Sequence, residues 1–396
     1  MRHILLTILI CFCSATFAVE PDSIFVNVDS ASVSEPDTTL APERPATFKE
    51  KAKHNFFTAL SRIQHKLFDV DTFYIEPQHY KFQAMMQSNF SYEAYRITDN
   101  EGNSIRFTPK PSMKVGPYVC WGILGYGLSI DMLHLKTQDN RQEFDMSFYT
   151  LPMGFDLFYR KSGNEYRITD VKFANHHDAS VLNGCSFNGI KSSVVGLNAY
   201  YIFNHRRFSY PAAFNQSTKQ KVSAGSALAG IGYTRHSLDV DWSKLNILTE
   251  VIMGEDYADE FTGEKTFEHV TYTDLSLSGG YGYNWVFAKN WLFCSSLSLA
   301  LSYKRSISNS SKGINGIVDN FVEGLNFRDF KFTNLTIDGV GRFGVVWNDN
   351  RWFAGANFIM HAYNYSKANF YTNNIFGSFN IYAGFNFGVK KKYRKQ

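Results

Sequence analysis

From Phe376 to Val389 the residues Phe379, Ile381, Ala383, Phe385 and Phe387 alternate with Ser378, Asn380, Tyr382, Gly384, Asn386 and Gly388. A period of two sends successive side chains to opposite faces, so the stretch reads as a strand with one apolar and one polar face. The same alternation recurs through most of the chain beyond Tyr80. Strands of this kind predict an all-β fold, a transmembrane antiparallel up-and-down β-barrel with its apolar faces toward lipid.

Connection lengths sort the strands, because outer-membrane barrels join them by short turns on the periplasmic side and long loops outside. Phe287-Ala288-Lys289-Asn290-Trp291 and Trp347-Asn348-Asp349-Asn350-Arg351-Trp352 are polar tips bracketed by aromatics, as expected where two strands reverse at the headgroups. Trp121-Gly122-Ile123 and Thr150-Leu151-Pro152 read as further tight reversals. The candidate outside loops are Asp99 to Lys110, Leu133 to Gln142, Lys161 to Gly189, His236 to Thr271, Arg305 to Arg328 and Tyr365 to Ile375. Strands counted between these connections number about 12, an even count that leaves both termini in the periplasm. Asn204 to Lys221 breaks the pattern, being too long for a simple turn, and is expected to fold under or into the barrel.

Ahead of the barrel, Met1-Arg2-His3, the apolar run Ile4 to Phe12 and the small-residue stretch ending at Ala18 form the three parts of a secretory signal peptide. The expected organisation is a signal peptide over 1–18, a disordered periplasmic linker over 19–50, an amphipathic helix and connection over 51–78, the barrel over 79–390 and a basic tail over 391–396. The linker is rich in Ser, Thr, Pro and acids. In the helix, Phe56, Phe57, Leu60, Ile63 and Leu67 recur at spacings of three and four. Docking at the periplasmic mouth and plugging of the lumen are both open roles for it.

Composition narrows the class. Beyond the start there is no run of about 18 apolar residues, which excludes a helical membrane protein. The 36 Phe and 23 Tyr against 10 Pro suit a barrel. A net charge of +4, much of it in Lys390 to Lys395, is too small to argue for nucleic acid. Cys120, Cys185 and Cys294 in the mature chain are too few and odd in number for a disulfide framework.

If apolar residues face lipid, parity turns charge inward. Lys114, Asp131, Glu143, Asp145, Asp156, Arg160, Asp274, Lys304, Asp338, Arg342 and His361 all fall on the lumen face. Asp338 and Arg342 lie about 13 Å apart along one strand, too far to pair directly. They must pair across strands or meet water. Two readings follow, a hydrated channel that screens small solutes by charge and a narrow barrel stitched shut by cross-barrel ion pairs and Tyr side chains such as Tyr118 and Tyr200.

Other motifs carry less. Gly339-Val340-Gly341-Arg342-Phe343-Gly344 matches a dinucleotide fingerprint but sits within an alternating strand with no helix after it. His176-His177-Asp178 lacks structural-zinc spacing and reads as a polar loop, so neither a metal nor a cofactor is expected. A lipid hydrolase would need Ser and His on the lipid face, whereas His361, Ser276, Ser278, Ser296 and Ser298 share inward parity; no enzymatic role is expected. His236 and His269 are assigned to the long acidic loop with Glu255, Asp256, Asp259, Glu260, Glu264 and Glu268. Such a loop could hold divalent ions that bridge surface polysaccharide, and a solvated loop is the plainer account.

Three stretches carry a family resemblance: Asp156-Leu157-Phe158-Tyr159-Arg160-Lys161-Ser162-Gly163-Asn164-Glu165-Tyr166, the run from Leu197 through Tyr200-Tyr201-Ile202-Phe203-Asn204-His205-Arg206-Arg207-Phe208-Ser209-Tyr210-Pro211 to Phe214, and Gln216-Ser217-Thr218 leading to Ser223-Ala224-Gly225-Ser226. They resemble an uncharacterised family of Bacteroidetes-type secreted proteins, domain of unknown function 4421, over most of the chain after Phe73. The resemblance implies a Gram-negative outer-membrane location without supplying an activity. It also draws attention to the anomalous connection, where Arg206, Arg207, Tyr210, Gln216 and Ser217 are expected to organise the periplasmic mouth. The partners expected are outer-membrane lipid, the barrel-assembly machinery, and small solutes or surface polysaccharide.

Overall fold

The computed structural model describes residues 69–121, 124–133, 142–163, 165–174, 177–257, 268–306, 331–367 and 370–394. The signal peptide, linker and amphipathic helix expected over residues 1–68 lie outside the described residues. The chain divides into two compact units, Val70–Gly388 and a second that joins residues 1–69 to Val389–Gln396. In the second, Lys391–Tyr393 make a single tight turn and the Arg394 Nε donates to the Val389 carbonyl at 3.3 Å.

The wall begins with β2 (Tyr80–Asp99), which follows a short strand β1 (Ile75–Pro77). It continues through β4 (Ser112–Trp121), β5 (Leu124–Gly127) with β6 (Ile130–Asp131), β7 (Gln142–Tyr149), β8 (Met153–Lys161), β11 (Ile190–Ile202), β13 (Ala224–Val240) and β14 (His269–Ala288). It ends with β15 (Trp291–Ser306), β16 (Leu335–Asn348), β17 (Trp352–Lys367) and β18 (Phe370–Val389). Counting β5 and β6 as one stave, since both pair with β4, these make the twelve staves of an antiparallel up-and-down β-barrel. Last strand meets first, β18 beside β2, and the ladder runs from there through to β7. Among the described residues no hydrogen-bonded register joins β7 to β5 or β6.

The reversals are built as their residues dictate. Asn290, between β14 and β15, has φ 68°, and Asn350, between β16 and β17, has φ 83°. Both occupy the left-handed region, which Asn tolerates better than any β-branched or bulky residue. Above the tips stand Trp285, Phe287, Trp291 and Trp352, all exposed.

Parity then sets the two faces. Ile231, Leu277, Leu301 and Ile337 form one register row across four strands and are 53–68% exposed, an apolar wall without protein cover. The next row up holds Tyr233, Leu275, Tyr303 and Leu335. From Leu275 down to Trp285 is ten residues of β14, about 33 Å of strand, or about 25 Å along the axis at the usual tilt. That matches the height of a barrel's lipid-facing band. The first strand carries mixed residues on both faces, Glu93, Tyr95 and Ile97 against Tyr92, Ala94 and Arg96, and it turns Glu93, Tyr95 and Ile97 inward and leaves Tyr92 half exposed outside.

Several stretches expected as outside loops are instead regular structure. β3 (Ser104–Pro109), β9 (Tyr166–Lys172) and β10 (Ser186–Phe187) extend the sheet from the upper half of β2 in the order β2, β3, β9, β10. Ile105 and Phe107 alternate with polar residues, as do Tyr166 and Ile168, so these segments carried a strand signal that loop polarity masked. Helix α2 (Trp242–Met253) follows β13, with Asp241 as its N-cap accepting from the Lys244 N–H at 3.3 Å. His236, assigned from sequence to a surface loop, is on β13 with its ring buried, stacked on Tyr272 at 4.7 Å between centroids.

Candidate functional site: the filled interior

At the end carrying the short turns, the anomalous connection enters the barrel. Asn204 anchors its start, with its backbone N–H on the Ser226 Oγ at 2.8 Å and its side-chain amide on the Gly225 carbonyl at 2.8 Å. A turn then leads to helix α1 (Tyr210–Phe214), where Ser209 accepts from the Ala212 N–H at 3.3 Å and Pro211 fixes the first turn. Tyr210, fully buried, lies 5.1–6.0 Å from the rings of Phe208, Tyr200 and Tyr149, and its hydroxyl bonds the Ser296 Oγ. Burial raises the Tyr210 phenol well above its usual range and keeps it neutral. Gly282 makes room for this packing, since a Cβ there would sit 2.9 Å from the Phe208 ring.

The return leg is held by directional bonds. Gln216, at φ 59°, donates to the Tyr382 hydroxyl at 2.9 Å and accepts from the Asn348 amide at 3.0 Å. β12 (Thr218–Gln220) pairs with β1 as a two-stranded sheet. Gln220 is the hub. Its amide donates to the carbonyls of Arg207 at 2.6 Å and Val222 at 2.9 Å, and its Oε1 accepts from Ser209 N–H and the Asn284 amide, both at 3.0 Å. Arg207 itself is exposed, 5.1 Å over the Tyr74 ring and 3.7 Å from Asp71. Arg206 and Ser217 are exposed, so of the five residues picked from sequence Tyr210 and Gln216 lie inside the plug and the other three on its surface.

Above the plug lies a layer of buried charge. The Arg342 guanidinium donates to Asp156 at 2.6 Å and lies 4.9 Å over the Tyr200 ring, and Ser147 donates to the same carboxylate at 2.8 Å. One storey higher Lys304 donates to Asp338 at 2.8 Å and reaches Asp274 at 3.6 Å, while Ser302 donates to Asp338 at 2.6 Å. Arg160 faces Glu93 at 3.9 Å and the Phe376 ring at 5.7 Å. Every one of these charged groups is more than nine-tenths buried. Asp338 and Arg342, four residues apart on β16, thus pair across strands and in different storeys.

The remaining sequence candidates fall around this layer. His361 sits between the storeys, 5.8 Å from Phe158 and stacked at 5.9 Å on Tyr363. Lys114 pairs with Asp131 in the β4–β6 register, both half-buried. Glu143 and Asp145 occupy inward register positions opposite Arg160 and Phe158; their side chains lie outside the described residues. Glu93 is the charged residue that sequence reading missed, because both faces of the first strand carry mixed residues. A cavity of about 60 Å³, room for a few waters, lies beside His361, Asp156 and Arg160.

The far end is closed by apolar packing. Tyr95, Ile97, Ile105, Phe107, Tyr166 and Ile168 from the sheet extension join Leu182, Phe187, Trp242, Leu245 and Tyr272 in one buried cluster. Elsewhere the candidate chemistry is used structurally. Asp178 accepts from the Ser180 N–H at 2.9 Å, and bonding to Ser180 holds its carboxyl below the usual range; His177 packs edge-on to Tyr257, and His176 lies outside the described residues. The Gly339 to Gly344 run is an ordinary stretch of β16.

No curated protein matches this chain. Among solved structures it is similar to the outer membrane protease OmpT of Escherichia coli, at 7% identity and TM-score 0.32, covering 78% of this chain and 97% of that one. It is also similar to the translocator domain of the autotransporter NalP of Neisseria meningitidis, at 11% identity and TM-score 0.29, covering 86% and 98%. A third similarity is to the outer membrane protein OprG of Pseudomonas aeruginosa, at 10% identity and TM-score 0.22, covering 79% and 99%. The family model for the domain of unknown function DUF4421 matches residues 69–387, the described wall to within two residues of its last strand's end, with the plug and cap, and the chain belongs to that family.

Proposed function

We propose that this protein is a filled, non-enzymatic barrel of the bacterial outer membrane, with its short turns and both termini in the periplasm, serving as a structural and surface-interaction element and not as a channel. The signal peptide read at Met1 to Ala18 supports export, and the outward apolar and aromatic face, exposed at Ile231, Leu277, Leu301 and Ile337 and down to Trp285, supports insertion in lipid. One observation carries the choice between the two lumen readings. Plug, ion-pair layer and apolar cap are stacked along the interior, and among the described residues a cavity at the ion-pair layer holds about 60 Å³. A conducting pore needs a continuous wet path. In this orientation α2 lies outside, with Ile247 60% and Val251 79% exposed, a surface available to partners such as polysaccharide or protein.

Single-channel recording of the refolded protein in a planar bilayer tests the reading, alongside a variant carrying Asp338→Asn and Arg342→Gln. Silence from protein verified as folded is the expected result. Steady openings whose ion selectivity changes in the variant would establish the hydrated channel instead. A hydrolase role predicts esterase activity toward micellar acyl esters in calcium, and none is expected.

A further inference from the structure

The plug is a detour from the wall. β11 and β13 stay in register from Ile190 opposite Val240 to Ile202 opposite Leu228, and β13 already pairs with β14 at Ala224 and Asn284, so residues 205–221 can leave the lumen without breaking a rung of the barrel. The neck of this loop is tied on its own, by the Phe203 N–H on the Ala227 carbonyl at 3.2 Å and by Asn204 on Gly225 and Ser226. Both legs of the plug are crossed by the stretch just ahead of the first stave, residues 71–78. On the entering leg the Asp71 N–H donates to the Arg206 carbonyl at 2.9 Å, and Arg207 faces the Asp71 carboxylate and the Tyr74 ring. On the returning leg β1 pairs with β12, the Lys221 N–H donates to the Tyr74 carbonyl at 2.7 Å, and the Gln78 amide donates to the Gln216 carbonyl at 3.2 Å. Gln216 stands at φ 59°, a backbone state that costs energy in a residue with a side chain and that its neighbours must hold in place.

This strap is itself anchored. Ile75 at its centre is fully buried, the Asn350 amide donates to Glu76 at 2.6 Å, and the chain then enters β2 at Tyr80. A two-stranded sheet of three rungs is marginal by itself. The contacts also follow one another along the strap, Asp71 first, then Tyr74, β1 and Gln78, so a displacement that begins at Asp71 meets them in turn and never all at once. Cys294 marks the floor under the plug. It is fully buried, with Asn284 and Gly344 as register neighbours; Asn284 donates to the Ser209 carbonyl and to Gln220, and a Cβ on Gly344 would lie 3.5 Å from the Ala213 carbonyl. We propose that residues 71–78 are a latch whose release lets the plug leave the lumen as a unit, opening the turn-end half of the interior to water while wall and cap stay folded. The latch rests on the filled lumen proposed above and adds what keeps it filled.

The rate at which a maleimide modifies Cys294 in the full-length, detergent-folded protein, read by peptide mass mapping, tests the latch. Ile75→Asp should raise that rate about a hundredfold over the parent and Arg207→Ala, at the exposed end of the strap, about threefold. Heat-dependent gel mobility confirms that each variant keeps a folded wall. Where Ile75→Asp fails that check, Ile75→Ala takes its place, with a rise of about thirtyfold. Hydrogen exchange should speed up across 205–221 and stay at the parent's rate in α2. Folded variants in which Cys294 is as protected as in the parent would overturn the latch and leave the filled lumen standing. Exchange rising in α2 together with Cys294 modification would show a general loosening and overturn the latch as well. A parent whose Cys294 reacts as fast as in urea-unfolded protein would overturn the filled lumen itself.

Discussion

The two ends of the barrel are closed by different means. At the loop end the closure is assembled from separate stretches of chain, β2 with β3, β9 and α2, and packs chiefly through apolar and aromatic side chains, with the Tyr95, Ser192 and Tyr166 hydroxyls bonded among them. At the turn end a single connection, residues 204–221, enters and leaves, and its grip on the wall comes from placed hydrogen bonds at Gln216, Gln220 and Asn204 around one ring cluster. Apolar packing is non-directional and tolerates contributors from anywhere in the sequence. A plug threaded inside the wall must also satisfy its polar backbone there. The cap should therefore fail by cavities and the plug by lost partners.

The largest effect is expected where both ends rest, at the ion-pair layer. Arg342→Met leaves Asp156 buried without its partner and should destabilise the folded barrel by about 3–5 kcal/mol, whereas adding Asp156→Asn should recover most of that loss. Urea unfolding of vesicle-refolded protein measures both. Recovery failing in the double variant would mean that the layer is held by something other than the pair.

In the cap, Trp242→Ala should cost about 3–5 kcal/mol, most of it local. Limited proteolysis should then cut the 161–189 and 236–257 segments while the plug stays protected. Cleavage appearing in 204–221 as well would show that the two ends are one cooperative unit.

In the plug, Gln220→Ala strands the Ser209 N–H and the carbonyl of Arg207 and should cost about 1–3 kcal/mol for each group left unpaired. Hydrogen exchange should speed up across 204–221 and leave α2 unchanged. Ser209→Ala, which removes only the cap of α1, should cost about 1 kcal/mol and show the same pattern more weakly. An effect of Ser209→Ala as large as that of Gln220→Ala would shift the anchor of the plug from its return leg to its helix.

The alternation of Phe379 to Phe387 with polar neighbours, and the aromatic-bracketed tips at Asn290 and Asn350, made the strands and their turn end legible, because a period of two and a tight reversal are local properties of the chain. Parity likewise turned Asp156, Asp338 and Arg342 inward. Which of them would meet was beyond it, since Arg342 bonds a carboxylate 186 positions away. Glu93 escaped notice on a strand whose two faces are equally mixed, and His236 because the polar residues after it concealed the strand it belongs to.

What the sequence determined by itself was the wall, its inward charges and the one connection that could not be a simple turn. The tertiary structure decided how that wall is filled. Cross-strand pairing depends on register around the whole barrel, and the destination of a connection depends on what space its neighbours leave, as Gly282 leaves it for Phe208. Neither quantity is local, so neither is written in any single stretch of residues.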